Sequence, residues 1–577
     1  MAIWSTDRSS SAGEKDPEAT MTTAHDSESR KEEYSTTQYA TPDEHAVVGD
    51  AHPKDSLHRG LQARHITMIA IGGALGTGLI VGTGKALAQA GPGSIFIGYT
   101  FVGLLVFCVM AALGEMASWL PLASGFSGYA TRFVDPALGT ALGYTYWFKY
   151  IITTPNQLTA AALVIQYWVP AEKINPGVFI TVFLVAILAI NYFGIRFFGE
   201  FEFWLSSVKV VVIVGLILLS LILALGGGPT GDRPGFRYWK NPGAFKPYIA
   251  DGAEGKFLGF WNSLINAVFA YLGTELVGVT VGEAQNPRRV IPKAIKLTFY
   301  RILFFYCLSV LFLGMIVPYD SEELAFATTK SNSAAASPFV VAIRLAKIDA
   351  LPGIINACIL LFVFSASNSD LYIASRTIYG LASQGKAPRI LARTDSRGVP
   401  IWSLALSALF CLLAYMNVAD DAKTVFSYFV NLVTIFGLLT WISILVTHIY
   451  FVRARNAQGV DPASLAYVAP LGAAGSYAAL FFCILIALTK NFSVFTGGEF
   501  DYKNFVTGYL GIPLYLLLIF GAKWWSKTEA VRPETADLWS GKDEIDREEQ
   551  EFLEREREHR RANGGGKFYE RFVAWLF

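Results

Sequence analysis

Two interrupted apolar runs hold the residues of this chain best placed to do chemistry. "IAIGGALGTGLIVGTGKAL" (69–87) carries Gly72, Gly73, Gly76, Gly78, Gly82 and Gly84. Glycine costs up to about 1 kcal/mol against alanine in a helix interior, so such a cluster lowers the cost of unwinding. Unwound backbone offers bare N–H groups, and the half-helix beyond a break begins with positive partial charge. Around Gly76, Thr77 and Gly78 that combination suits a carboxylate. The second run, "NAVFAYLGTELVGVTVGEA" (266–284), repeats the interruption as Gly273-Thr274-Glu275. Glu275 falls about fourteen residues into its apolar stretch, roughly 21 Å at 1.5 Å per residue, too deep to snorkel to water. A charge at that depth marks a functional site.

Two other readings compete for the glycines. Gly76-Thr77-Gly78 followed by Gly82 has the look of a dinucleotide loop, but that motif needs a soluble strand, turn and helix, and here it lies within a membrane-length run. Gly72/Gly76 and Gly78/Gly82 also have the spacing that lets two membrane helices approach closely. The broken-helix reading carries a demand that packing does not. Unwound backbone is tolerated in a bilayer only where it lines a cavity, and discontinuous helices of this kind occur in corresponding positions of two repeats in secondary transporters.

The rest of the chain supplies the elements that must hold these runs. Of 577 residues 53% are hydrophobic and only 16% charged, where a soluble protein has about 25% charged, so the chain belongs among membrane proteins. A net charge of +1 leaves no basic excess to neutralise phosphates and argues against nucleic acid. Apolar stretches lie near 66–88, 92–118, 139–169, 177–195, 204–226, 261–282, 297–318, 351–379, 401–419, 424–451, 472–492 and 505–525, most reaching the ~20 residues of a membrane-spanning helix. The interrupted stretches are the first and sixth, the spacing of a five-plus-five inverted repeat with two further helices.

An even number of crossings puts both tails on one side. Arg288, Arg289, Lys293 and Lys296 follow the sixth stretch, Lys386, Arg389, Arg393 and Arg397 the eighth, and Arg453 and Arg455 the tenth. The opposite short loops hold little more than Lys85, Lys173, Lys490 and Lys503. The positive-inside bias therefore makes both tails cytoplasmic. Residues 1–60 read as a disordered N-tail, 61–525 as the membrane domain (repeats near 66–226 and 261–451, then 472–525), and 526–577 as a C-tail. Cys108, Cys307, Cys358, Cys411 and Cys483 all sit in apolar runs, which implies small core residues and no disulfide framework.

Four segments then carry a resemblance. "ARHITMIAIGGALGTGL" (63–79), "GEMASWLP" (114–121), "RFVDPALGTALGYTYW" (132–147) and "EAQNPRRVIPKAI" (283–295) resemble signatures of fungal amino-acid permeases of the amino acid–polyamine–organocation superfamily, in order from about 58 to 525. Within it, "KYIITTPNQLTAAALVIQYW" (149–168) and "VFSASNSDLYIASR" (363–376) are similar to dicarboxylic amino-acid permeases. The resemblance implies an all-α, LeuT-like fold of about twelve transmembrane helices with helices 1 and 6 broken, and proton-coupled import of glutamate and aspartate across a plasma membrane. It places the substrate's carboxylate at Gly76, Thr77 and Gly78 and its ammonium near the carbonyls of Phe269, Ala270 and Leu272, with the Phe269 ring as a gate.

On the third stretch many relatives have Glu where this chain has Gln157, and an uncharged polar residue where it has Lys149. These positions are eight apart, close to two helical turns, so they lie near one face. The two changes make that face more positive by two charges, which favours an acidic side chain. One charge pair at 4 Å is worth about 4 kcal/mol at an effective dielectric of 20. The competing reading has Lys149 snorkelling to the boundary and Gln157 bonding between helices. Lys209 resembles a lysine that stands at a sodium position in proton-coupled relatives, with snorkelling again the competitor. Lys209 and Glu275 are thus the expected proton-coupling residues, with Asn368, Asp370 and Arg376 behind them and an Asp370–Arg376 structural pair as the alternative. Carrying one net negative charge into a negative-inside cell is opposed by about 2.3 kcal/mol per 100 mV, so glutamate needs at least one proton for neutrality.

Lys15, Lys31 and Lys54 stand among acidic and hydroxyl residues in the N-tail, a composition suited to phosphorylation and to ubiquitin-ligase adaptors. The C-tail reads as a charged helix followed by "KFYERFVAWLF" (567–577), which could lay its aromatic residues on the membrane surface. Some relatives end in a lipidated cysteine; this chain ends in Phe577, so no C-terminal anchor is expected. No metal or other cofactor is implied: metal ligands are not clustered, and five of the seven histidines lie in the tails, leaving His65 and His448 at segment ends. An enzyme is the least supported class and an ion channel gives no use for Glu275. A neutral or broad amino-acid permease, or a nutrient receptor with vestigial transport, are the competing functions.

Overall fold

A computed structural model describes residues 76–562 except 123, 194, 277, 279–286, 330–336, 417–421 and 497–499. The expectations for residues 1–60, for Gly72 and Gly73 and for the terminal aromatic segment lie outside the described residues. All regular structure described is helical. The helical segments that answer to the apolar stretches are α1 (Thr83–Ala90, entered through a π turn at Gly78–Gly82), α2 (Pro92–Trp119), α3 (Pro136–Ile165), α4 (Pro176–Tyr192), α5 (Ile195–Ala224) and α6 (Gly252–Tyr271). They continue with α7 (Pro287–Arg301, prolonged through Ile302–Cys307 and Leu308–Ile316), α8 (Leu351–Ser383), α9 (Ile401–Phe410 and the turn Cys411–Tyr415), α10 (Ala422–Ala457), α11 (Gly472–Thr489) and α12 (Tyr502–Tyr509, then Gly511–Ser526).

Among the described residues seven of these are long and apolar enough to cross a membrane, and α4 and α9 are shorter apolar helices. The three outside both sets are α1, α3 and α6, which carry most of the candidate site residues. Polar groups and glycines that a site requires make its helices poorer membrane spans. Such segments have to be shielded by their neighbours. Accordingly α3 is buried along nearly its whole length and packs against α4, α8, α10 and α12. A second group forms where α2 packs on α6, α7 and α10, and α1 with its π turn packs on α6.

Local signals explain the boundaries. Pro92, Pro136 and Pro176 each begin a helix, where the missing N–H is no loss. Asp135 caps α3 by accepting the Ala137 N–H at 2.7 Å. The sixth stretch differs from expectation in position. Its helix starts at Gly252 and ends at Tyr271; Leu272 is extended (φ −61°, ψ 140°) and Gly273 takes φ +99°, a conformation that glycine adopts without a side-chain clash. Glu275 therefore sits in a short 3₁₀ turn, Thr274–Leu276, past the end of α6 and not inside it. The segment before α6, expected as loop, also covers the α1–α2 junction: Lys246 N–H donates to Ala90 at 2.9 Å and Gly93 N–H to Ala244 at 2.7 Å. Lys490, expected as a loop charge, is buried and donates to the Asn431 carbonyl at 2.9 Å.

The C-tail packs on the bundle over much of its described length. Leu538 is fully buried, and its carbonyl accepts the Trp119 indole N–H at 2.9 Å. Arg132 pairs with Asp537 at 2.6 Å, and Arg288 pairs with Asp546 and, at 3.0 Å, with Glu549. Gln458 donates to the carbonyls of Pro533 and Ala536, and Val531 N–H to Val134 at 2.8 Å. Thus Arg288, read in the sequence as a topology charge, holds the helix Lys542–Ala562. Asp135, between α3 and the tail, is raised by burial but lowered more by Lys523, the Ala137 N–H and Thr528, and its carboxyl ends below the usual range. A depressed carboxyl contributes stability that is lost as pH falls through its folded value.

Leu538→Asp would bury a carboxylate in the tail contact, a costly change. It is expected to lower the thermal midpoint of the detergent-purified protein by several degrees, while Glu554→Ala, on the exposed side of the tail helix, leaves it in place.

Candidate functional site

The described start of the first segment meets α6 backbone to backbone. A Cβ placed on Gly78 would fall 2.4 Å from Ala270 Cα and 2.9 Å from Ala270 N, so only glycine admits this approach. The packing use of the glycines is the one seen here; from Thr77 onward the described backbone is helical, a π turn over Gly78–Gly82 running into α1. The Thr77 hydroxyl donates to Gln157 Oε1 at 3.0 Å, tying the first segment to α3. Gly76 is looser, its absent Cβ lying 3.9 Å from Gln157 Nε2.

The break in α6 is held by tyrosines. Tyr306 donates to the Ala270 carbonyl at 3.2 Å and stacks on Tyr271, whose hydroxyl donates to the Tyr99 carbonyl at 3.0 Å. The Phe269 carbonyl accepts the Leu272 N–H at 3.3 Å. A carbonyl oxygen has two lone pairs, so both acceptors expected near Phe269, Ala270 and Leu272 keep capacity for an ammonium. The Phe269 ring is buried and meets Phe426 edge to face at 6.3 Å.

The charged residues form partnerships that spacing did not reveal. Lys149 does not snorkel: it is 1% exposed and forms an ion pair with fully buried Glu275. Its ammonium also lies over the Tyr150 ring, 4.7 Å from the centroid. The other Glu275 oxygen accepts the Gly273 N–H at 3.2 Å and the Trp441 indole at 3.3 Å. Trp441, on α10, gave no signal in the sequence because an indole in an apolar run reads as core.

Lys209 likewise does not snorkel; it is buried and pairs with Glu202 at 3.7 Å. Glu202 Oε1 also accepts Ser365 at 2.7 Å and Ser206 at 3.1 Å, which connects α5 to α8. Glu202 was missed because it precedes the apolar stretch as read, although seven residues from Lys209 is two helical turns. Asp370 on α8 is buried beside Gln157. The described ion pairs do not join it to Arg376, which donates to the Gly398 carbonyl at 3.2 Å.

A separate buried cluster was also missed. Glu115, in the "GEMASWLP" signature, accepts Arg455 at 2.6 Å and the Ala469 N–H at 2.8 Å and lies 3.2 Å from His448. It braces α2 against α10, so His448 is a core residue and not a segment end. Among the described residues no group of three or more His, Cys, Asp or Glu could hold a metal ion.

The family profile described as Amino acid permease matches residues 65–532. The chain belongs to the amino acid permease family. This amino acid permease is 55% identical to the dicarboxylic amino acid permease of Saccharomyces cerevisiae, over 94% of this chain and 90% of that protein. It is 40% identical to that organism's lysine-specific permease (86% and 81% covered) and 38% to a proline-specific permease of Emericella nidulans (94% and 97%). Those names span acidic, basic and apolar side chains on one scaffold. A solved variant of the Eremococcus coleocola manganese transporter matches at TM-score 0.52 and 12% identity, over 81% of this chain and 94% of that one. That likeness concerns the fold alone, the LeuT-like arrangement of secondary transporters. The permease is a transporter, not an enzyme.

Gly78→Ala is expected to abolish amino-acid uptake, because the methyl group would drive the first segment off Ala270. Gly76→Ala, with an ordinary contact, should retain a large part of it; uptake normalised to surface protein compares the two.

Proposed function

We propose that this permease imports acidic amino acids, glutamate and aspartate, with protons across the plasma membrane by alternating access, both tails cytoplasmic. The observation that carries the reading is the Lys149–Glu275 pair: a buried ammonium beside the break after α6, already held by a carboxylate. A substrate side-chain carboxylate is the same chemical partner for Lys149. Gly76, Thr77 and Gly78 are the groups we assign to its α-carboxylate, the carbonyls around Phe269, Ala270 and Leu272 to its ammonium, and Gln157 to the wall between. The name of the 55% identical yeast relative supports the acidic class. The proton cancels the charge the substrate carries inward, and Lys209 and Glu275, with Glu202, are the buried network through which we read the coupling.

A neutral-substrate reading draws on the same pair. Glu275 neutralises Lys149, and a purely structural lysine would be held in the same way. Uptake by permease-deficient cells separates the two. Lys149→Gln is expected to reduce labelled glutamate uptake tenfold or more at normal surface level while uptake of a neutral amino acid persists. Unchanged preference would make Lys149 structural and the acidic reading wrong.

A further inference from the structure

Proton-driven uptake needs a group that changes its protonation during the cycle and a contact that reports the change to the substrate. We propose that Asp370 on α8 is the proton-binding residue and that Gln157 conveys its state to Thr77. This rests on the proton-symport reading above.

Among the described residues Lys149, Glu275 and Arg301 are buried about the break after α6, and Glu202, Lys209 and Asp370 between α3, α5 and α8. Four of them form two ion pairs, Lys149 with Glu275 and Lys209 with Glu202. Asp370 is in neither, and its Oδ2 accepts no hydrogen bond among the described residues. An ionised carboxylate so placed is expensive, and a proton removes the cost. Glu202 also has one oxygen without a hydrogen bond, but its other oxygen holds Lys209, Ser206 and Ser365. As a residue Asp370 is also the least enclosed of the three acids, at 8% exposure against 0% for Glu202 and Glu275, although its Oδ2 is itself buried.

The groups that face Asp370 set the coupling. From α3 come Lys149, Tyr146, Tyr150 and Gln157, from α5 Glu202 and Lys209, and from the closing turn of α9 Cys411. Two ammoniums favour the carboxylate; burial and Glu202 favour the neutral acid. A substrate that brings a further negative charge to Lys149 tips the balance to the acid, so substrate and proton enter together. Linkage makes the effect mutual: a proton on Asp370 tightens substrate binding by the same factor.

Gln157 has the chemistry to pass this on. As a carboxylate Asp370 only accepts; across the contact of α3 with α8 the amide N–H of Gln157 is its complement, while the Gln157 carbonyl oxygen takes the Thr77 hydroxyl as observed. Once it has taken up a proton from the external medium, Asp370 donates, and the carbonyl of Gln157 becomes its partner. The amide turns over and presents N–H to Thr77. The Thr77 hydroxyl, no longer committed to Gln157, is released to donate to the substrate's α-carboxylate.

The test uses the full-length protein in proteoliposomes with a substrate that the parent accepts, acidic or neutral. Two rates are read: accumulation driven by an inward proton gradient, and counterflow, which needs no gradient. A parent that ignores the gradient would overturn the symport reading itself, leaving its failure distinct from that of Asp370. With a responsive parent, Asp370→Asn is expected to lose gradient-driven accumulation tenfold or more, together with its pH dependence, while counterflow continues. Asp370→Glu should restore accumulation with a displaced pH midpoint. Asp370→Asn that accumulates substrate like the parent overturns the assignment. Should Asp370→Asn lose counterflow as well, Asp370→Glu and Gln157→Glu decide. Each is expected to move the pH midpoint of uptake by about one unit, as a changed acid or a second acid beside it requires, and parental midpoints in both overturn the proposal.

Discussion

Removing an ionised side chain from water costs several kcal/mol even after the protein relaxes, and pairing repays that cost only with close geometry. In this permease the constraint falls on α3, α5, α6 and α8 together. Lys149 can lie inside the bundle because Glu275 meets it from the break after α6, and Lys209 because Glu202 stands two turns earlier on the same helix. The pair from α3 to α6 links the two groups of packed helices, so any movement of one group against the other must carry this contact or exchange it. A substrate carboxylate is a natural replacement for Glu275 in such an exchange.

The second requirement is close approach. At Gly78 and Ala270 two backbones come together without side chains between them, which brings the start of the first described segment beside the carbonyls at the end of α6. An amino acid has opposite charges on a single carbon, and this juxtaposition offers complementary groups for both. The tyrosines at 271 and 306 hold the α6 break in place from behind, so its irregular backbone is ordered without filling the front.

Farther from the site, the loops and tail act as braces. The segment before α6 closes over the α1–α2 junction, and the C-tail spans Trp119, Arg132, Arg288 and Gln458, which belong to helices or connections of both packed groups. Charges that look like topology signals in a linear reading have a second use here.

The sequence by itself determined the fold class and the interruption at Gly273-Thr274-Glu275, because these follow from local quantities: apolar length, glycine content and a charge within an apolar run. It also singled out Lys149, Gln157 and Lys209 by their types within apolar runs. Which side chains meet was decided only in the tertiary structure. Lys149 and Glu275 are 126 positions apart, and no helical periodicity spans that separation; Trp441 and Glu115 are ordinary members of their segments until α10 meets Glu275 and α2. Asp370 is the plainest case. Its type and apolar setting were legible, but a carboxylate becomes exceptional only when every neighbouring cation is seen to hold another acid, and that depends on how four helices pack.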